Sequence, residues 1–294
     1  MVRFLRFSAV CLVAGVLGAC SNGEKTITTP VIPSAGVRFI NAVPDTAGAF
    51  GLDFRFVDAV ESNAQFRVAF RNNPATSGGV TASTQLQYKA AKAGSRRFVV
   101  FLDDTIQSIA STKLVDSTFT FEAGKNYSLV LWGFSRTSGT PRIRLSIIPE
   151  TVADPGTQVA LRVLNTTTDP IDVRTYVQGG TLPTGATWAS VPPLSASSYV
   201  TAAPGNILYN VQPAGGGTPL FADMLALPGA AAFSSAGVGG KIDTDAIPGT
   251  TVPGSAVTLI VFPRSTAGAR TPQTAAFLIP AGSFVWDRRP PSIF

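Results

Sequence analysis

Val37-Arg38-Phe39-Ile40-Asn41-Ala42 and Leu161-Arg162-Val163-Leu164-Asn165-Thr166 carry one pattern: an arginine and an asparagine bracket two apolar residues inside an otherwise apolar run. Short runs of this kind, bounded by turn residues, read as β-strands. An acid-led strand follows each, Asp53-Phe54-Arg55-Phe56-Val57 in the first half and Asp172-Val173-Arg174-Thr175-Tyr176-Val177 in the second. Farther on, Ala93 to Val100 (AGSRRFVV) parallels Ala203 to Asn210 (APGNILYN). Three matches in the same order point to duplication of one β unit.

The rest of the chain reads the same way. No segment of helical length sustains a 3.6-residue apolar period. Strands are expected at Val37–Ala42, Leu52–Val57, Arg97–Leu102, Thr118–Glu122, Tyr127–Phe134 and Ile143–Ile148. A second set is expected at Ala160–Asn165, Asp172–Val177, Ser198–Ala202, Ile207–Gln212, Val257–Pro263 and Ala275–Ile279. Breakers such as Gly78-Gly79, Pro155-Gly156 and Gly215-Gly216-Gly217 separate them. This spacing predicts an all-β fold of two tandem immunoglobulin-like β-sandwich modules of about 100 residues each. The modules are placed at 36–150 and 157–294, with Glu150 to Gly156 as the boundary. Residues 227–255, rich in Gly, Ala, Pro and Ser, read as a long loop in the second module.

The first residues read as an address. Arg3 and Arg6 precede an uncharged, mostly apolar run from Ser8 to Val16, then Leu17-Gly18-Ala19-Cys20. A basic start, a short apolar core and small residues before a cut make a secretory signal over 1–19. The run is shorter than the roughly 20 residues that span a bilayer. Leu-Gly-Ala-Cys resembles the lipobox of bacterial lipoproteins, which implies a diacylglycerol thioether on Cys20 and acylation of the new amino terminus. Residues 20–35 then form a lipidated Cys and flexible tether. The chain is expected to be exported and anchored in the bacterial envelope. Ser21 resembles the signal for transfer to the outer membrane, facing the periplasm or the surface.

Composition narrows the chemistry. The chain contains no histidine, and its two cysteines are Cys11, within the signal, and Cys20. Cys/His zinc sites, Ser-His-Asp systems and Cys-His systems are therefore excluded. Loss of Arg3 and Arg6 leaves 21 basic residues against 17 acidic, a net charge of +4 spread along the chain. That dispersion and export argue against nucleic acid as a partner. The expected partners are the membrane through the anchor, envelope proteins and extracellular polysaccharide.

Candidate sites are few. Asp103-Asp104 and Asp243-Thr244-Asp245 have acid spacings found at calcium sites but lack further ligands, and read as solvated strand ends and loop. Gly237-Val238-Gly239-Gly240-Lys241 lacks the spacing of a phosphate loop. Asp53, Asp58, Glu61, Asp169 and Asp172 are the carboxylates from which a glycosidase pair would be drawn. Among aromatics, Tyr127 and Trp132 are assigned to a strand facing the core. Trp188, in a Pro/Gly-rich connection, is expected to be exposed, and Trp188 and Trp286 are the candidate ligand-binding residues, with Tyr199 a further aromatic. Trp286-Asp287-Arg288 is expected to cap the second module, with Asp287 neutralising an arginine. No catalytic residue, metal or cofactor is assigned.

The pattern Val37 to Asp45 followed by Asp53 to Val57 resembles the bacterial domain-of-unknown-function family 4397. Ser198 to Gln212, with its Pro-Gly turn, and Gly124-Lys125-Asn126-Tyr127 resemble further segments of it. The resemblance implies exported, lipid-anchored or wall-associated proteins built of immunoglobulin-like modules, and supplies no activity. The long 227–255 segment departs from the pattern. The functional expectation is a non-enzymatic envelope protein for adhesion, matrix attachment or scaffolding. The alternatives are a carbohydrate-binding module and, behind it, a carboxylate-dependent polysaccharide hydrolase.

Overall fold

A computed structural model describes residues 32–45, 52–58, 75–76, 88–102, 105–136, 138–237, 240–266 and 278–290. Cys20, Glu61, Asp103, Asp104 and residues 275–277 lie outside them, as does the side chain of Asp53. Of the strand expected over Ala275–Ile279, the described Leu278 and Ile279 are not in a strand, and the last strand begins at Ala281.

The first half contributes β1 (Ser34–Ala42), β2 (Leu52–Phe56), β3 (Ala75–Thr76), β4 (Lys89–Lys92), β5 (Gly94–Leu102), a helical turn α1 (Gln107–Ala110), β6 (Lys113–Phe121), β7 (Asn126–Trp132) and β8 (Arg144–Glu150). The second half contributes β9 (Val159–Asn165), β10 (Ile171–Val177), β11 (Trp188–Val191), β12 (Ser195–Ala196), β13 (Val200–Ala202), β14 (Ile207–Pro213), β15 (Phe221–Leu225), β16 (Phe233–Gly237), β17 (Gly240–Thr244), β18 (Ala256–Phe262) and β19 (Ala281–Arg288). The described chain is thus nearly all β.

The duplication seen in the sequence recurs in the sheets. One sheet of the first half runs β3-β1-β7-β8 with β4 also on β1, and its counterpart runs β12-β9-β18-β19 with β13 on β9. The partner sheets are β2-β5-β6 and β11-β10-β14-β15. In both halves the central pair is parallel, β1 with β7 and β9 with β18. A parallel pair needs a long crossover, and here the second sheet of each half is built within it.

Successive strand residues point to opposite faces. Val37 and Phe39 of β1 join Leu129 and Leu131 of β7 in a cluster with Phe98, Val100 and Phe121 from the facing sheet. Val159, Leu161 and Val163 of β9 do the same with Val173, Tyr209 and Val211. The other faces of the two central sheets meet one another. Ile40, Ala42, Val130 and Trp132 pack with Leu164, Ile260, Phe262 and Val285. Strands β1, β7, β9 and β18 are therefore covered on both sides, which is why they read as apolar runs instead of alternating ones. Pro33–Phe294 form one compact unit.

The recurring asparagine has a local cause. At the end of β1 and of β9 its side-chain oxygen accepts the N–H two residues on, Val43 at 3.2 Å and Thr167 at 2.9 Å. This turn ends each strand.

The 227–255 segment, expected to be an irregular loop, holds structure. Strands β16 and β17 form an antiparallel hairpin from Phe233↔Thr244 to Gly237↔Gly240, and Ala230 bridges Ile247 at its base. The turn demanded by this base explains part of the glycine content. Gly229 has φ +77, and an added Cβ would lie 2.5 Å from the Ile247 carbonyl oxygen. Gly229→Ala is expected to cost about 1–3 kcal/mol, the scale of one strained backbone position. Urea unfolding of the variant beside the parent checks it, and an unchanged midpoint would count against this packing.

Candidate functional site at the seam

The duplicated arginines are the largest departure from an apolar seam. Arg38 lies on β1 opposite Ser128 of β7, and Arg162 lies on β9 opposite Thr258 of β18. Each Nε donates to that neighbour's hydroxyl at 2.7 Å. Each guanidinium also covers a tyrosine ring at 4.7 Å, Tyr88 for Arg38 and Tyr199 for Arg162.

The acids complete the arrangement crosswise. Glu150 ends β8 of the first half, and Asp287 lies near the end of β19 of the second. Arg38 pairs with Glu150 at 3.0 Å and with Asp287 at 2.6 Å. Arg162 pairs with Glu150 and, at 3.5 Å, with Asp287. Each arginine thus reaches the acid of its own half and of the other. Ser128 donates to Glu150 at 2.5 Å, Thr258 to Asp287, and Tyr199 to Asp287 at 2.7 Å. Two positive and two negative charges are closed off together, and the side chains of Arg38 and Asp287 are 0 % exposed.

The electrostatics follow from this enclosure. Burial alone pushes the Asp287 carboxyl up, but Arg38 and Arg162 beside it hold it below its ordinary value of 3.8. Burial pushes the Tyr88, Tyr199 and Tyr209 hydroxyls well above 10.0. A depressed carboxyl contributes stability that is present above its unfolded pKa and lost as the pH falls through the folded one. A raised phenol contributes stability that is present below its unfolded pKa and lost as the pH rises. The fold is therefore expected to hold a stability plateau that falls below about pH 3.8 and above about pH 10. Urea midpoints across pH check it, and Asp287→Asn should flatten the acid limb.

Above the apolar part of the seam lies a half-open groove of about 1060 Å³, bordered by Pro44, Phe134, Asp169, Pro263, Arg264 and Ile279. Residues of both halves form it, and Thr266 donates its N–H to the Pro44 carbonyl at 2.9 Å beside it.

The sequence candidates fall elsewhere. Trp188, expected to be exposed, is 7 % exposed. Its ring stacks on Tyr209 at 6.3 Å, and its Nε1 donates to the Ser198 carbonyl at 3.0 Å. The connection carrying it folds back as β11 onto β10, which places the indole in the core. Trp286 is also 7 % exposed, in β19, with Arg289 over its ring at 5.2 Å. Neither indole offers the open face that stacking on a sugar requires.

The carboxylates are engaged structurally. Asp58 pairs with Arg96 at 3.2 Å. Asp172 accepts the N–H groups of Ser190 and Gly215 at 2.7 and 3.0 Å. Asp169 accepts the Thr168 hydroxyl, and Asp243 the Ser234 hydroxyl within the β16–β17 hairpin. Tyr127 and Trp132 are buried as expected. Sequence reasoning passed over Arg38, Arg162 and Glu150 as a constellation. The available signal was an arginine inside a fully apolar strand, repeated at the same place in both halves, since a buried charge requires a partner.

Residues 35–176 match the family described as Domain of unknown function (DUF4397), which covers the first half and continues through β9 into β10. Both arginines of the buried cluster lie within the matched span. No curated protein matches the chain.

Proposed function

We propose that this chain is a lipid-anchored protein of the bacterial envelope that works by binding, as an adhesion, attachment or scaffolding body, and not by turnover. The observation that carries the reading is the crosswise cluster of Arg38, Arg162, Glu150 and Asp287. It joins two halves, each read as an immunoglobulin-like β-sandwich module, into one rigid body. Its charges serve cohesion, since they are sealed from solvent. A rigid body held off a membrane by a short tether presents its outer faces and end loops at a fixed geometry, which lowers the entropic cost of engaging a fixed partner.

The anchor rests on Arg3, Arg6, the apolar run and Leu17-Gly18-Ala19-Cys20 in that order. Two or three acyl chains, at about 0.8 kcal/mol per buried methylene, hold a protein firmly to a bilayer. Cys20→Ser is expected to move the protein from the membrane fraction to the soluble fraction of producing cells and to remove labelling by radioactive palmitate. Retention of both would rule out the lipid anchor. For binding, proteoliposomes carrying the full chain are expected to adhere to isolated envelope polysaccharide, and protein-free vesicles are not. Equal adhesion by both would end the reading.

A further inference from the structure

We propose that the outer face of the β11-β10-β14-β15 sheet binds an acidic, hydroxyl-bearing sugar through Arg174, Asn210 and Tyr176. The inner face of this sheet is occupied by Val173, Tyr209 and Val211 in the core. Strand alternation turns Arg174, Tyr176 and Asn210 outward. The register sets Arg174 directly opposite Asn210 and Tyr176 opposite Leu208.

Two polar atoms here lack partners. The Nε of Arg174 and the Oδ1 of Asn210 are both buried with no hydrogen bond, and Asn210 is only 3 % exposed. Buried polar atoms are nearly always satisfied, so a neighbouring donor and acceptor left open call for a ligand or ordered water. The two groups ask for different chemistry. Arg174 donates in a fixed fork that matches a carboxylate. Asn210 Oδ1 needs a donor, which a hydroxyl supplies.

The surroundings fit a ring-shaped ligand. Tyr176, two residues from Arg174 and so about 7 Å along the strand, donates its hydroxyl to Asp223 in the middle of β15. That bond spans β14, so the Tyr176 side chain lies across the outer face of the sheet and offers an aromatic surface there. Leu225, 43 % exposed, borders the same face. A uronic acid carries a carboxylate, vicinal hydroxyls and an apolar ring face, and would meet all three requirements.

This assignment rests on the binding reading above and names its ligand class. The test uses the full chain in detergent micelles, titrated calorimetrically with a glucuronate oligosaccharide, its carboxyl-reduced glucose counterpart, and acetate. The expected result is binding of the uronate alone. Arg174→Gln should weaken it at least about tenfold, the scale of losing a charge-assisted hydrogen bond, and Tyr176→Phe by a smaller factor. Both positions are only half-buried, so circular dichroism should show both variants folded. Equal binding of the neutral sugar or of acetate, unchanged binding by folded Arg174→Gln, or no binding of any probe would each overturn the proposal. In the last case ordered water satisfies the pair. Adhesion of proteoliposomes carrying Arg174→Gln separates the two claims. If adhesion persists while uronate binding is absent, this site fails and the binding reading stands. If the parent does not adhere either, the broader reading fails.

Discussion

Arg38→Ala is expected to destabilise the protein by about 3–5 kcal/mol, the cost of breaking a buried ion pair by removing one partner. The size follows from what is left behind. Without Arg38, Glu150 and Asp287 share one guanidinium, and a net negative charge stays enclosed between two sheets. Ser128 loses its donor at 2.7 Å, and the Trp286 carbonyl loses a contact at 3.4 Å. Desolvating two acids against one base is the unfavourable term, so the double variant Arg38→Met with Asp287→Leu should cost less than the two single changes summed. It leaves the Arg162–Glu150 pair balanced. Equilibrium urea unfolding of the four chains gives the coupling directly. A cost below about 1 kcal/mol for Arg38→Ala, the range of a solvated pair, would mean that water reaches the cluster.

Trp132→Ala is expected to cost about 3–5 kcal/mol as well, by a different route, the loss of a large buried aromatic. Trp132 closes β7 at the seam, packed in the cluster with Phe262 and Val285 of the other half. Its Nε1 donates across the seam to the Thr166 carbonyl at 2.8 Å. Arg144 covers its ring at 4.8 Å. Truncation removes apolar contact and leaves a carbonyl unpaired at the joint between the halves. Trp132→Phe keeps most of the ring and loses only the hydrogen bond, so it should cost about 1–2 kcal/mol. If the two variants unfold at the same urea concentration, packing at the seam is not what the indole supplies.

The two changes probe the two components of one joint, and the joint was only partly legible in the sequence. The arginine repeat was visible in Val37–Ala42 and Leu161–Thr166, and it correctly marked equivalent strands. What the arginines do was not visible. Asp287 was expected to neutralise an arginine while capping the second half. It does so with Arg162 of that half at 3.5 Å and more closely, at 2.6 Å, with Arg38, 249 residues upstream. Trp188 shows the converse error. Its Pro/Gly-rich neighbourhood pointed to an exposed connection, yet pairing of β11 with β10 turned the ring inward.

The sequence by itself determined that the chain is β-built and internally duplicated, and where most of its strands run. Those properties are local: turn residues, β-branched runs and the reach of an asparagine side chain to its own backbone act over a few positions. Only the tertiary structure decided the parallel central pairs, the face-to-face seam and the hairpin within 227–255. It also decided the open pair of Arg174 and Asn210. These depend on which face of a strand meets which distant partner. A charge in an apolar strand announces that a partner is required, and chain folding alone selects which one.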